Sequence, residues 1–280
     1  MRIAGKPLLK YNVYIHGKKS MVHMKVEEVM TKRPVFLHNT DFMTHARQVV
    51  RDEHKRTLPV VDNKNRVVGI LTEKDILGIY STRSNVTVEG FTSEFPEVYP
   101  DMDMMHAAKL MIDAGLGRVP VIRGSQDRTL EGILSTVDIF RNLNLQRTPD
   151  MTVEEVMTRD VKTCSTKDNI AKVWVNMRGS GFSGFPVLKN GRLVGMITRR
   201  SVINAGYARI EREDEHGTEM GMSPSVEKIM STPPYTLSPQ NTLKEAIQAF
   251  LKLDVGRFSV VDDGKLVGIV DRNDIIRAFI

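Results

Sequence analysis

The stretch Gly69-Ile70-Leu71-Thr72-Glu73-Lys74-Asp75 constrains this chain more than any other, because close variants of it occur four times. Its counterparts are Gly132-Ile133-Leu134-Ser135-Thr136-Val137-Asp138, Gly195-Met196-Ile197-Thr198-Arg199-Arg200-Ser201 and Gly268-Ile269-Val270-Asp271-Arg272-Asn273-Asp274. Each reads as the end of a strand, with two apolar residues after the glycine, running into the first turn of a helix. A short oxygen-bearing side chain stands three residues after each glycine and another six after it. At a helix start, positions i and i+3 share a face, so both can address one small polar ligand. A carboxylate there also sits well against the helix dipole.

The repeat extends well beyond this motif, and its columns can be aligned by counting. Pro59, Pro120, Pro186 and Ser259 form one column, each followed by valine, and apolar Met43, Met104, Ile170 and Leu243 stand 16 residues earlier. From those anchors the chain continues as Met104, Ala107, Ala108, Met111, then as Ile170, Val173, Trp174, Met177, and as Leu243, Ala246, Ile247, Phe250. This i, i+3, i+4, i+7 spacing predicts an amphipathic helix. The first copy departs with Met43, Ala46, Arg47 and Val50, where Phe42 and Val49 can supply neighbouring apolar area. After each helix come two short apolar runs separated by turn formers, such as Asp62-Asn63-Lys64-Asn65, Lys189-Asn190-Gly191 and Asp262-Asp263-Gly264, the pattern of a hairpin. The second copy has a longer turn through Gly124-Ser125-Gln126-Asp127, and a final helix closes each unit.

The predicted unit is therefore strand, helix, strand, strand, helix, an α+β arrangement. A unit of about 55 residues buries too little surface to be comfortable alone, so four units imply two pairs joined through their sheets. The expected divisions are a basic N-terminal arm at 1–25 and repeats at 26–80, 88–143, 153–207 and 226–280. Residues 81–87, 144–152 and 205–225 join them. The acidic run Glu211-Arg212-Glu213-Asp214-Glu215 in the last joint reads as a solvated extension. Alternation in Tyr11-Asn12-Val13-Tyr14-Ile15 suits an added edge strand.

Charge is distributed unevenly. Arg2, Lys6, Lys10, Lys18, Lys19 and Lys25 face no acid within residues 1–25, and they alone match the formal net charge of +6. The body is thus near neutral, which argues against a broad nucleic-acid face there and leaves the arm as a possible nucleic-acid contact. With 41% hydrophobic and 26% charged residues the chain reads as soluble and globular. No apolar run approaches the roughly 20 residues of a bilayer span, so no membrane span is expected. Its start does not read as a signal peptide. The single cysteine, Cys164, excludes an intramolecular disulfide framework and fits a reducing, cytoplasmic setting.

The opening Val26-Glu27-Glu28-Val29-Met30-Thr31 recurs as Val153-Glu154-Glu155-Val156-Met157-Thr158 and Val226-Glu227-Lys228-Ile229-Met230-Ser231. With the central Leu-Pro-Val-Val-Asp and the closing Gly-Ile-Leu-Thr-x-x-Asp, it resembles the cystathionine-beta-synthase (CBS) domain. The resemblance covers residues 26–280, and is weakest at Val88-Glu89-Gly90-Phe91-Thr92, which lacks the methionine. It implies two Bateman modules, each a pseudo-twofold pair of CBS repeats. Four repeats in one chain are similar to the regulatory gamma subunit of AMP-activated protein kinase and its archaeal relatives. The resemblance does not imply catalysis by these domains, and the chain is expected to be no enzyme and to require no cofactor; it does imply an adenosyl ligand such as AMP, ADP, ATP or S-adenosylmethionine, whose ribose meets the aspartate of the closing motif. A regulated partner protein, and self-association through the modules, are also implied.

The residues agree with that role. An ionised aspartate accepts two hydrogen bonds from neighbouring ribose hydroxyls, and a charge-assisted bond is worth about 1.5–3 kcal/mol. The expected acceptors are Thr72 and Asp75, Ser135 and Asp138, and Asp271 and Asp274. Ile70 and Val60 are expected to offer a slot for a flat base. Arg118 and Arg257, with Lys55 and Arg56 at the equivalent place in the first copy, are the expected phosphate cations. The third copy has Thr198 and Ser201, without a carboxylate, so at most three clefts should hold a ribose well. Arg199 and Arg200 could instead serve a phosphate held by a neighbouring copy. A second reading of each acceptor is a helix N-cap, which can coexist with binding.

Other signals lead away from catalysis. Gly179-Ser180-Gly181-Phe182-Ser183-Gly184 matches GxGxxG but follows a helix and enters a strand, the reverse of the dinucleotide context. The seven histidines lack metal-ligand spacing, and no Walker A, HExxH or nucleophile-elbow sequence occurs.

Overall fold

The structure, a computed structural model, describes residues 24–53, 57–72, 75, 86–205 and 223–280. Most of the basic arm, the edge strand expected at 11–15, Lys55, Arg56, most of the first closing helix and the acidic joint lie outside the described residues.

The helices with the complete apolar spacing span Met104–Asp113, Ile170–Ser180 and Leu243–Leu253, and each buries all four residues that define its pattern. Their starts are set by side-chain caps: Asp103 accepts from the amides of Met105 and His106, Asn169 from that of Ala171, and Thr242 from that of Glu245. In the first repeat, helix Met43–Glu53 buries Met43 and Ala46, and Val49 and Val50 close the edge of the same core. Phe42 instead stays exposed.

Behind each helix lies an antiparallel hairpin: Thr57–Val61 with Val67–Thr72, Arg118–Ile122 with Leu130–Ser135, Gly184–Lys189 with Arg192–Thr198, and Arg257–Asp262 with Lys265–Asp271. In the last two hairpins Asn190-Gly191 and Asp263-Gly264 carry positive φ at both positions, +52° and +75°, then +45° and +76°, as a two-residue type I′ turn requires. A short parallel strand joins three of these hairpins, from Leu37–His38, Cys164–Ser165 and Thr236–Leu237 respectively.

The second repeat corrects the expected strand order. Its first strand is reduced to a bond from the Ile122 amide to the Val98 carbonyl, 3.0 Å long. Pro96 and Pro100 flank that segment and remove ladder donors. The third strand of this sheet comes instead from the first repeat, as Thr31–Lys32 pairs antiparallel with Leu130–Ser135.

That crossing belongs to a fourfold exchange. The valine that opens each repeat is fully buried in the core of its partner: Val26 with Met104 and Val119, Val88 with Met43 and Leu58, Val153 with Leu243 and Phe258, Val226 with Ile170 and Phe185. The opening backbone also satisfies the first amide of the partner's helix. Met43 donates to the Val86 carbonyl at 2.9 Å, Met104 to Met24 at 2.8 Å, Ile170 to Pro224 at 3.1 Å and Leu243 to Met151 at 2.8 Å. These amides have no partner within their own helices, so each repeat caps its neighbour.

The recurrence of the closing glycine in all four repeats follows from the same exchange, because the opening segment crosses directly over it. A Cβ on Gly132 would stand 2.7 Å from Met30 Sδ and 2.9 Å from the Thr31 carbonyl oxygen, and one on Gly195 2.8 Å from the Ser231 carbonyl oxygen. Gly268 meets Met157 in the same way, and Gly69 meets Thr92, the residue that takes the place of the missing methionine. The pairs then join within one chain. Repeats two and four share one hydrophobic core, in which Phe140 and Phe250 meet edge-on with centroids 5.4 Å apart.

The crossing yields a stability prediction. Gly132→Ala should lower unfolding stability by about 1–3 kcal/mol through overpacking against side chain and backbone. Gly90→Ala, where nothing lies within 4 Å of the added carbon, should change it little. Urea denaturation of both variants checks this, and equal midpoints would contradict it.

Candidate functional site

Hairpin register brings the expected acceptors and cations together. The first residue of each central strand stands opposite the last residue of its closing strand: Thr57 with Thr72, Arg118 with Ser135, Gly184 with Thr198, Arg257 with Asp271. Repeats two and four thus place an arginine across from an acceptor, whereas the third presents glycine and threonine. Lys55 and Arg56, expected to serve the first repeat, fall outside the described residues.

All four acceptor pairs form reciprocal caps. The Thr72 amide and hydroxyl donate to Asp75 Oδ2 at 2.8 and 2.6 Å, and the Asp75 amide donates back to Thr72 Oγ1 at 3.3 Å. Ser135 and Asp138 repeat this arrangement at 3.0, 2.5 and 3.2 Å. In the third repeat the hydroxyls of Thr198 and Ser201 lie 2.8 Å apart. In the fourth, the Asp271 amide donates to Asp274 Oδ2 at 2.8 Å, and Asp271 Oδ1 accepts from the amides of Asn273 and Asp274. The capping reading therefore holds in every repeat. The caps of Asp75 and Asp138 occupy Oδ2, so Oδ1 of each takes no part in capping. Asp274 Oδ1 faces Arg277 Nη1 at 3.8 Å.

A cleft of about 220 Å³ lies between the third and fourth repeats. The fourth repeat supplies Arg257, Ile269, Asp271, Asp274 and Arg277, and the third supplies the opposite wall through Thr158, Asp160, Val161 and Lys162 and through Phe182 and Phe185. Asp160 and Lys162, which sequence reasoning missed, enter because the opening segment of the third repeat crosses the fourth: the Thr158 amide donates to the Ile269 carbonyl at 2.8 Å. The repeated Met-Thr of the opening motif is the sequence signal that could have led to them.

Burial, followed by the charge of Asp271, pushes the Asp274 carboxyl up to about 6, against opposing effects of the Asp271 amide, Arg277 and Arg257. Arg257 also spans the pair. Its guanidinium donates to the Ser183 hydroxyl and to the Gly184 carbonyl, the latter at 3.4 Å.

Other expected residues take different places. Ile70 is buried and exchanges backbone bonds with Ser93, and its fourth-repeat counterpart Ile269 lines the cleft. Val60 corrects the expected base slot: it is fully buried in the first repeat's core beside Leu37, Met43 and Leu71, because it faces the helix rather than the cleft. Arg199 donates to the carbonyls of Met177 and Phe182, at 3.4 and 3.3 Å, and so finishes the third repeat's helix instead of reaching toward a phosphate. The GxGxxG stretch forms that helix's end, with Gly181 left-handed at φ +74°, before strand Gly184–Lys189 begins. Among the described residues no helix is long and apolar enough to cross a membrane. Among the same residues no cluster of three or more His, Cys, Asp or Glu side chains could hold a metal ion.

Comparison with known proteins agrees with this architecture. The chain is 23% identical over 279 residues to the uncharacterised protein MJ1225 of Methanocaldococcus jannaschii, covering 91% of this chain and 98% of that one. The crystal structure of MJ1225, a proposed archaeal homologue of g-AMPK, superposes with a TM-score of 0.75 at 22% identity, over 92% of this chain and all of that one. An uncharacterised conserved protein from Pyrococcus horikoshii superposes with a TM-score of 0.66 at 21% identity, again over 92% of this chain and all of that one. An inosine-5'-monophosphate dehydrogenase from Korarchaeum cryptofilum is 30% identical over 143 residues, which span 49% of this chain but only 27% of the enzyme. The CBS domain profile matches residues 26–82, 88–145, 153–207 and 226–280. With four CBS domains over most of its length, the chain belongs to the CBS-domain family.

Proposed function

We propose that this protein is a regulatory sensor that holds an adenosyl ligand, such as AMP, ADP, ATP or S-adenosylmethionine, between paired repeats and passes the resulting change in packing to a partner protein. The observation that carries this reading is the cleft between repeats three and four, where Asp271 and Asp274 stand beside Arg257 and Arg277 against an apolar wall. The carboxylates accept the ribose hydroxyls, Ile269 and Phe185 flank the base, and the cations lie toward the rest of the ligand. At about 220 Å³ the cleft is smaller than the ~300–1,000 Å³ of drug-sized sites, so a nucleotide occupies it only in part and extends beyond its mouth. Asp75 and Asp138 give the first and second repeats the same acceptor, while Ser201 leaves the third without one. Only a ligand that binds one packing state better than another can drive the output. The relation to MJ1225, itself a proposed homologue of g-AMPK, supports a regulatory rather than a catalytic role.

Calorimetry on ligand-stripped protein should give a dissociation constant in about the micromolar range, roughly −8 kcal/mol, for at least one adenosyl compound. Asp274→Ala should weaken binding about tenfold or more, as loss of a charge-assisted bond implies, whereas Ser201→Ala should have little effect. No heat with any adenosyl compound would contradict the proposal.

The raised Asp274 carboxyl adds a pH dependence. Its folded-state value of about 6 lies above its ordinary 3.8, so the stability it contributes is fully present below the lower value and is lost as pH rises through the higher. Ribose hydroxyls require the ionised form. Adenosine affinity at this cleft should therefore fall as pH drops below about 6, by up to about tenfold per unit, and binding in that range should release up to about one proton per ligand from Asp274. In Asp274→Asn this decline should disappear. Binding that is equally steep in both proteins would show that another group is titrating.

A further inference from the structure

The residues lining the cleft between repeats three and four differ in charge from those at the equivalent positions of repeats one and two. Equivalence is set by strand register, since Thr158 bridges to Ile269 as Thr31 pairs with Ile133, and Arg257 opposes Asp271 as Arg118 opposes Ser135. Counting from those anchors, Asp160 corresponds to Arg33, Asp271 to Ser135, Asp274 to Asp138 and Arg277 to Arg141. The cleft thus carries acids at two positions where the first pair has an arginine and a serine. Its three carboxylates, Asp160, Asp271 and Asp274, face Lys162, Arg257 and Arg277.

The two arginines already answer to the cleft's own groups. Arg277 lies 3.8 Å from Asp274, and Arg257 bonds to Ser183 and Gly184 across the pair. A polyphosphate entering here meets carboxylates in a partly enclosed space, where like charges repel more strongly than in bulk water. Asp271 is also not needed as an acid for folding. Thr72, Ser135 and Thr198 fill the same capping position in the other repeats with a hydroxyl.

We infer that the cleft between repeats three and four selects adenosyl ligands that lack phosphate, whether uncharged nucleosides or cationic sulfonium compounds, over nucleoside triphosphates. Asp271 and Asp160 are the residues that set this selectivity. The inference rests on the adenosyl-binding reading above and assigns a ligand class to this one cleft.

The test uses the full chain carrying Asp75→Ala and Asp138→Ala, which leaves the fourth repeat with the remaining closing-motif carboxylate. Binding of adenosine, S-adenosylmethionine and ATP without added metal is measured by calorimetry at pH 7.5. Adenosine or S-adenosylmethionine should bind at least about tenfold more tightly than ATP, and adding Asp271→Ser should shrink that ratio about tenfold, since one like charge is removed next to the ligand. Thermal unfolding of the Asp271→Ser protein should stay cooperative, because serine caps this position in the second repeat. A second variant, Asp160→Arg, which installs the residue found at the equivalent position of the first repeat, should move the ratio in the same direction. ATP binding as tightly as adenosine, or a ratio unchanged by both substitutions, overturns the inference while leaving the adenosyl reading in place. Failure of the unsubstituted chain to bind any adenosyl compound overturns both.

Discussion

The fold depends on the close passage of one repeat's opening segment over the closing strand of its partner. That passage requires glycine at the crossing, since a Cβ on Gly132 would come within 3.0 Å of both a side chain and a backbone oxygen of the opening segment. It also lets Val26, Val88, Val153 and Val226 enter neighbouring cores and lets opening carbonyls receive the first helical amides. No repeat therefore completes its own core or finds within itself an acceptor for the first amide of its helix. A pair is the smallest unit in which these groups are satisfied, as expected for repeats too small to bury enough surface alone.

The same crossing creates the cleft. Thr158, Asp160, Val161 and Lys162 form one wall because the third repeat's opening segment must traverse the fourth repeat's sheet, and Asp271 and Asp274 form the other because the closing strand ends there. The closing helix Arg272–Arg277 then leaves that cleft to pack in the core shared with the second repeat. At its start, Arg272 shares Asp254 with Arg141 of the second repeat, at 3.1 and 3.2 Å. These exposed ion pairs contribute little stability individually. The Phe140 and Phe250 contact behind them is the more substantial link between the modules. In the sensing role proposed above, displacement of one closing helix acts on a core that both modules share, and any coupling between their ligands is reciprocal.

Much of this organisation was legible in the sequence because it is periodic. Met104, Ala107, Ala108 and Met111 announce a buried helical face by spacing alone, and Asn190-Gly191 and Asp263-Gly264 announce tight hairpins by their tolerance of positive φ. The closing Thr, Ser and Asp residues were legible as a pair sharing one face, and they do share it, as caps. What sequence could not supply was the partner across the cleft. Asp160 and Lys162 lie more than 90 residues from Asp271 and Asp274, and only the crossing brings them together. Val60 was misplaced for a related reason, since residues of one strand face opposite layers and spacing does not say which layer holds the cleft. The reduced first strand of repeat two was hidden because Thr31 and Lys32, at the far end of the pair, supply that sheet's third strand.

Native mass spectrometry of the purified chain, followed by release and identification of whatever it carries, addresses the central claim most directly. The account predicts added mass corresponding to no more than three adenosyl compounds per chain, with one fewer when Asp274 is replaced by alanine. Protein that stays at its bare mass in the presence of saturating adenosine, S-adenosylmethionine or ATP, or whose bound mass is indifferent to Asp274, would contradict it.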